Sequence, residues 1–372
     1  MLCGSLMRTA FLALLVAHGA IHLFGFLKAF GIAEMAALRM PIGRPLGVAW
    51  LVAAVAWLAC AALLAMESRH WWIVGALALM VSQTVIVTSW GDARFGTVAN
   101  AIALVPIAIA ALDMRSGSLR SRYEREVAEV AAPIAASPVT EAEIAQLPPL
   151  VQTWLRRVGV VGKPHVRNVR ARFRGQIRSR PDASWMPFRS VQLNTFEAPS
   201  RRFFMEATMM GVPFDALHRY VGPSATMEVR VAGLFGVVDA RGPEMNQSET
   251  VTMFNDLCVL APAAIVDAGV RWEPRDERSV RAAWTYAGHT IHATLTFDVA
   301  GDLVGFVSED RYLSADGKSY RLLPWSTPLS EYRAIAGVRI AHHGVAKWLA
   351  PEGEIEYGRF ELDALEYNVS GR

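Results

Sequence analysis

The sequence predicts two unlike parts. A four-span α-helical membrane domain covers residues 1–114, and a mainly antiparallel α+β domain covers 164–372, a curved sheet or half-barrel wrapped over one helix; a helical connector, 115–163, joins them. Three observations carry this. Four uncharged apolar runs fill the first 114 residues, the apolar period switches to two after about Val166, and one segment at about 246–265 keeps a helical period inside the strand-rich part.

The four runs are Thr9–Leu27, Leu46–Met66, Trp71–Gly91 and Phe95–Leu112, each 18 to 21 residues long. A helix needs about 20 apolar residues to cross the hydrocarbon core of a bilayer. Trp71, Trp72 and Trp90 stand at the ends of the third run, where interfacial aromatics anchor a span. A single run could be a secretory signal; four in succession describe a multi-pass protein. With the N-terminus inside, Arg8, Arg69, Arg115, Arg120, Arg122 and Arg125 collect on the inner side, against Lys28, Arg39, Arg44 and Arg94 outside. That excess favours a cytoplasmic N-terminus and a cytoplasmic C-terminal domain.

The connector has helix-forming composition in "SLRSRYEREVAEVAA", interrupted by Pro133 and Pro138. Thr140 and Glu143 have capping-box spacing, and "PPLVQTWLRRVG" enters a helix through proline and ends it at Gly159. Alternation then takes over. In "VRARFRGQIRSR", Val169, Ala171, Phe173, Gly175 and Ile177 share one face, and Arg170, Arg172, Arg174, Gln176, Arg178 and Arg180 the other. A three-strand meander is expected from Ser279 to Tyr312, and further strands at 188–196, 201–210, 225–233, 330–335, 338–348 and 354–368. The helix at 246–265 is expected to be capped by Asn246 with Glu249 and to kink or stop at Pro262.

Charge and cysteine usage remove several classes of function. The net charge is +3, and the two parts are each nearly neutral, so a globally basic nucleic-acid binder is not indicated. Cys258 is the only cysteine after residue 114, Cys3 and Cys60 lie in or beside spans, and no cysteine spacing suits a metal. There is no G-x-S-x-G, H-E-x-x-H, G-x-x-x-x-G-K or G-x-G-x-x-G, and "EDRY" at 309–312 reads as a strand end with a local ion pair. No catalytic residue, metal or cofactor is therefore expected.

Three groups of residues are candidates for function. His18 and His22, one helical turn apart within a span, are intramembrane polar groups together with Gln83. They read either as ligands or a proton relay, or as interhelical hydrogen-bonding groups with Ser82, Gln83 or a backbone carbonyl as partner. Arg170, Arg172 and Arg174 stand ~6.6 Å apart on one strand face. They read either as a contact for anionic lipid headgroups or as partners of acids such as Glu197, Glu206 or Glu228 on neighbouring strands. Met253, Phe254, Leu257, Phe297 and Phe306 would line an apolar site between the helix and the sheet, or fill a closed core.

The stretches "HGAIHLFGFLKAFG", "PIGRPLGVAWL", "WW", "SQ" and "WGDARFGTVAN" resemble the membrane half of an uncharacterised family of bacterial multi-pass membrane proteins. "MNQSETVTMFNDLCVLAPAAI", "RWEP", "FDVAGDLVGFVSEDRY", "PWSTPLSEY" and "EYGRFELDALEYN" resemble the same family's C-terminal domain of unknown function. The resemblance implies a bacterial inner membrane location and carries no activity. In architecture the C-terminal half is similar to the lipoprotein-carrier fold, a half-open barrel over a helix. The leading expectation is a non-enzymatic, membrane-anchored binding protein for a lipid or other apolar ligand, with membrane lipids as neighbours. The alternatives are an assembly module docking an unknown partner protein, and a membrane redox enzyme using His18 and His22.

Overall fold

The computed structural model describes residues 5–130, 136–314 and 316–370, so Cys3 and Pro133 fall outside the described residues. The chain forms two compact units, Met1–Ser118 and Leu119–Arg372, and the helices of the connector belong to the second.

In the first unit the apolar runs form helices α1 (Ser5–Ala29), α2 (Arg44–Ala65), α3 (Trp71–Thr88) and α5 (Gly96–Asp113), with a single turn, α4 (Trp90–Ala93), before the last. The four long ones are each long and apolar enough to cross a membrane. Small residues set how closely they pack. A Cβ at Gly25 would fall inside the Trp50 indole, so glycine there lets α1 lie flat on α2. Lys28, near the end of α1, donates to the carbonyls of Leu38 and Met40 in the α1–α2 loop.

The second unit begins with three short helices, α6 (Leu119–Ala128), α7 (Glu141–Ile144) and α8 (Pro149–Val158). The capping box forms as expected: Thr140 N–H donates to Glu143 Oε2 at 2.7 Å and Glu143 N–H to Thr140 Oγ1 at 3.3 Å. Asp302 takes paired hydrogen bonds from both Arg157 of α8 and Arg339, which locks that helix against the sheet.

Six strands follow in a meander: β1 (Asn168–Ile177), β2 (Met186–Thr195), β3 (Ser200–Met209), β4 (Val212–Val221), β5 (Ser224–Val231) and β6 (Phe235–Arg241). Helix α9 (Pro243–Leu260) and a 3-10 turn, Pro262–Val266, lead to a second meander. Its strands are β7 (Arg271–Asp276), β8 (Ser279–Tyr286), β9 (His289–Phe297), β10 (Leu303–Leu313), β11 (Arg321–Ile335), β12 (Val338–Ala350) and β13 (Gly353–Tyr367). The meanders join where β1 pairs with β13, giving one antiparallel sheet of 13 strands in the order β6-β5-β4-β3-β2-β1-β13-β12-β11-β10-β9-β8-β7. The sheet is not closed, because β6 and β7 are its two edges. Helix α9 connects those edges in sequence and touches β5 and β6 on one arm and β9, β10 and β12 on the other, so the sheet curves around it. Gly175 is needed at the junction: a Cβ there would run into the Arg359 carbonyl oxygen of β13.

Helix α9 starts a turn earlier than the capping signal suggested. Its N-cap is Gly242, at φ +115°, with Pro243 in the first turn. Proline suits that position because the first N–H groups of a helix have no intrahelical acceptor. Asn246 is thus inside the helix, where its Oδ1 accepts from Ala225 N–H at 2.8 Å, and Glu249 is released for another role. The helix stops at Leu260, just before Pro262, as expected.

Candidate functional site: a cavity between the sheet and the polar face of the central helix

Both faces of α9 are buried, and they differ in chemistry. Val251, Phe254, Leu257 and Cys258 face a continuous apolar core, in which Phe254 stacks on Trp284 at 5.7 Å and approaches Phe306 at 5.8 Å. Met245, Ser248, Glu249, Thr252, Asn255, Asp256 and Val259 recur at three- and four-residue steps on the opposite face. That second face borders a cavity of about 610 Å³ inside the curved sheet. Phe173, Phe203, Met205, Met227, Val238 and Phe360 contribute apolar wall from β1, β3, β5, β6 and β13.

A buried charge cluster ties the helix to the sheet along this wall. Arg201 on β3 donates through Nε to Asp256 Oδ2 at 2.8 Å and through a terminal nitrogen to Glu249 Oε2 at 3.3 Å. Asp256 Oδ2 also accepts from Gln192 at 3.0 Å and Asn194 at 2.9 Å, both on β2. His218 Nδ1 on β4 lies 3.5 Å from Glu249 Oε1. Burial by itself raises the Glu249 carboxyl, but His218 and Arg201 outweigh it and hold the group at about 2. Burial likewise works against the Arg201 cation, and Asp256 and Glu249 overcome it, so Arg201 and Glu249 are both held in their charged forms.

Arg311 completes the wall. Its guanidinium carbon lies 4.5 Å from the Trp325 ring and 5.0 Å from the Trp348 ring, within cation–π range, and its Nε donates to Thr252 Oγ1 at 3.3 Å. The neighbouring "ED" does not form an ion pair with it. Asp310 instead accepts from the backbone N–H of His292 at 2.6 Å and lies 3.3 Å from its ring.

The apolar residues singled out from sequence are elsewhere. Met253, Phe254, Leu257, Phe297 and Phe306 all belong to the apolar core on the far side of α9, and none lines the 610 Å³ cavity. Phe297 packs on Trp154 of α8 at 5.7 Å. Leu257 also borders a second hollow, of about 520 Å³, beside Arg167, Glu197 and Asp267. Helix α9 turns its apolar face to the core that holds Trp284 and Phe306 and its polar face to the cavity.

Arg170, Arg172 and Arg174 lie on the outer face of β1, where the acids of β13 meet them. Arg172 is 3.2 Å from Glu366, Arg174 is 2.7 Å from Glu361 and also pairs with Asp363, and Arg170 is 4.0 Å from Glu366. The acids suggested from sequence have other partners: Glu197 pairs with Arg167, Glu206 with Arg120, and Glu228 with Arg122 and Arg230.

In the first unit His18 and His22 are buried, with ring centroids 4.6 Å apart. His18 Nε2 lies 2.8 Å from Asn100 Oδ1, which also accepts from Ser82 Oγ at 3.0 Å. Asn100 in turn donates to Gln83 Oε1 at 2.9 Å, and Gln83 donates to Thr97 at 3.2 Å. His22 Nδ1 is 2.8 Å from the carbonyl of His18. Among the described residues, no group of three His, Cys, Asp or Glu side chains comes together in a way that could hold a metal. Asn100, the hub of this network, was not singled out by the sequence reading, although an asparagine inside an apolar run is the available signal.

A family model described as "Family of unknown function (DUF6544)" matches residues 137–360, more than half of the chain. The chain belongs to this family. The DUF6544 match spans α7 through about the first half of β13, and with it every residue of the cavity wall except Leu362. No curated protein matches the chain. Among solved structures it is similar to the LolA superfamily protein NE2245 from Nitrosomonas europaea, at 12% identity over 58% of this chain and 93% of that one, with a TM-score of 0.33. It is also similar to a DUF1329 family protein from Desulfovibrio piger ATCC 29098, at 14% identity over 63% and 95% of the two chains, again with a TM-score of 0.33.

Proposed function

We propose that this protein is a membrane-anchored, non-enzymatic binding protein, a carrier or sensor, which takes up a lipid or other apolar ligand between the sheet and α9. The cavity supports this reading. Its volume of about 610 Å³ is in the range of small-molecule sites, ~300–1,000 Å³, and it combines a broad apolar wall with a few fixed polar groups. The helices α1, α2, α3 and α5 would hold the protein in the bacterial inner membrane, with the sheet unit on the cytoplasmic side by the balance of Lys and Arg. A reporter fused after Arg372 checks that side.

Native mass spectrometry of the full chain, purified gently in a neutral detergent, tests the binding role. The expected result is a co-purified lipid near one per chain, lost when the cavity is filled by Met227→Trp. A clean apo mass that takes up no lipid on titration overturns it.

One observation favours the assembly reading. The β3–β4 and β5–β6 hairpin tips expose Met210 (99%) and Phe235 (66%) side by side with Met209, Val212, Leu234 and Val237. Apolar groups clustered in this way suit a partner protein or a membrane surface. Cross-linking from Met210→Cys in whole cells checks for a protein neighbour.

A further inference from the structure

Arg311 owes its position to a defect in the sheet. Ser308 of β10 pairs with Trp325 of β11, and Arg311 pairs with Leu323, so two residues of β10, 309 and 310, oppose one of β11. Simple alternation from Ser308 would aim residue 310 inward and residue 311 out. The bulge reverses this and turns the guanidinium into the cavity.

The charge turned inward is not neutralised there. Arg201, the other arginine deep in this wall, has two carboxylates within ion-pair distance. Arg311 has the faces of Trp325 and Trp348 and one threonine hydroxyl, and among the described residues no carboxylate pairs with it. Glu249 feels its field but is engaged by Arg201 and His218. At the rim Arg178 repeats the arrangement: it lies 4.5 Å from the Trp185 ring and donates only to the carbonyls of Glu356 and Pro181. A guanidinium held over indole faces keeps terminal N–H donors in a fixed plane, the geometry that suits a carboxylate or phosphate.

We propose that the ligand is an anionic amphiphile whose carboxylate or phosphate is held by Arg311, while its hydrocarbon lies against Phe173, Phe203, Met205, Met227 and Phe360. The proposal rests on the cavity being a binding site and adds the charge class of what it binds.

The test compares pairs of probes that share hydrocarbon and differ in charge. Delipidated full chain in neutral detergent is titrated with oleate against methyl oleate, and with dioleoyl phosphatidate against dioleoylglycerol, and bound species are counted by native mass spectrometry. One anion is expected to outcompete its uncharged counterpart at least tenfold. Arg311→Gln should bring that ratio to near one while uptake of the uncharged probe persists, and Arg311→Lys should keep part of the preference. Preference for oleate identifies a carboxylate ligand, and preference for phosphatidate a phosphate ligand. Equal uptake of charged and uncharged probes by the unaltered protein overturns the proposal and leaves the cavity reading standing, whether or not the glutamine variant folds. A preference that survives in Arg311→Gln overturns the role of Arg311. Uptake of none of the four overturns the cavity reading as well.

Discussion

Arg201 of β3 and Asp256 of α9 form a buried ion pair, Nε to Oδ2 at 2.8 Å, that joins the central helix to the arm of the sheet in front of it. Such a pair is a weak source of stability, because removing two charges from water costs several kcal/mol per ion. What it supplies is position. An apolar residue at 256 would let α9 roll in either direction, whereas a carboxylate shared by Arg201, Gln192 and Asn194 admits one rotation. That rotation sets Glu249, Thr252 and Asn255 along the cavity.

Removing the carboxylate should therefore do more damage than losing one contact. Asp256→Ala leaves the Asn194 amide without its acceptor, Gln192 with only the Asn194 Oδ1 at 3.5 Å, and Arg201 with Glu249 alone. A loss of about 3–5 kcal/mol is expected for breaking one side of a buried pair. Denaturant unfolding of the full chain, followed by tryptophan fluorescence, measures it. Asp256→Asn, which keeps an acceptor oxygen, should cost less.

The same cluster predicts an acid limit. Glu249 is held at about 2, below its ordinary value of 4.5. A carboxyl depressed in the folded state adds stability that is fully present above its unfolded value and is lost as pH falls through the folded one. The unfolding midpoint of the sheet unit should thus drop between pH 4.5 and 2, and Glu249→Gln should flatten that part of the profile.

Core and cavity can be separated by two substitutions on opposite sides of the helix. Phe254→Ala removes a ring packed among Trp284 and Phe306 and should cost about 3–5 kcal/mol, with the lipid preference of the surviving folded protein unchanged. Met227→Trp adds volume where space exists, so it should change the unfolding free energy by no more than about 1 kcal/mol and abolish lipid uptake. Thermal unfolding and native mass spectrometry on the same two samples give both readouts.

Much of this architecture was legible. Uncharged runs near the length of a span, strict alternation in β1 and the helical period of α9 are local signals, and each produced its element. Strands β4, β6 and β7 were missed. In β4, Leu217 packs outward with α6 while Ala216 faces inward, so burial on both faces erases the alternation. The cavity wall was hidden for a related reason. A polar helix face reads as solvent-exposed, and nothing local shows that Glu249 and Asp256 meet Arg201, 48 and 55 residues away. Arg311 was out of reach because its direction depends on a bulge defined by pairing with β11.

The histidines of α1 offer the last test. His18 meets Asn100 of α5 at 2.8 Å, and Ser82 of α3 donates to the same oxygen, so one network joins α1, α3 and α5. In a membrane such bonds contribute about 0.5–2 kcal/mol each, since the separated helices also find partners. His18→Ala and Asn100→Ala should each cost about that much, and the double variant clearly less than their sum, because both remove the same bond. Detergent-induced unfolding of the full chain in mixed micelles measures the cycle. Strict additivity would show that the bond contributes nothing. A visible absorption band or stoichiometric metal in the purified protein, lost in the His18→Ala, His22→Ala double variant, would instead make the two histidines ligands. In that case the polar network would serve to orient them.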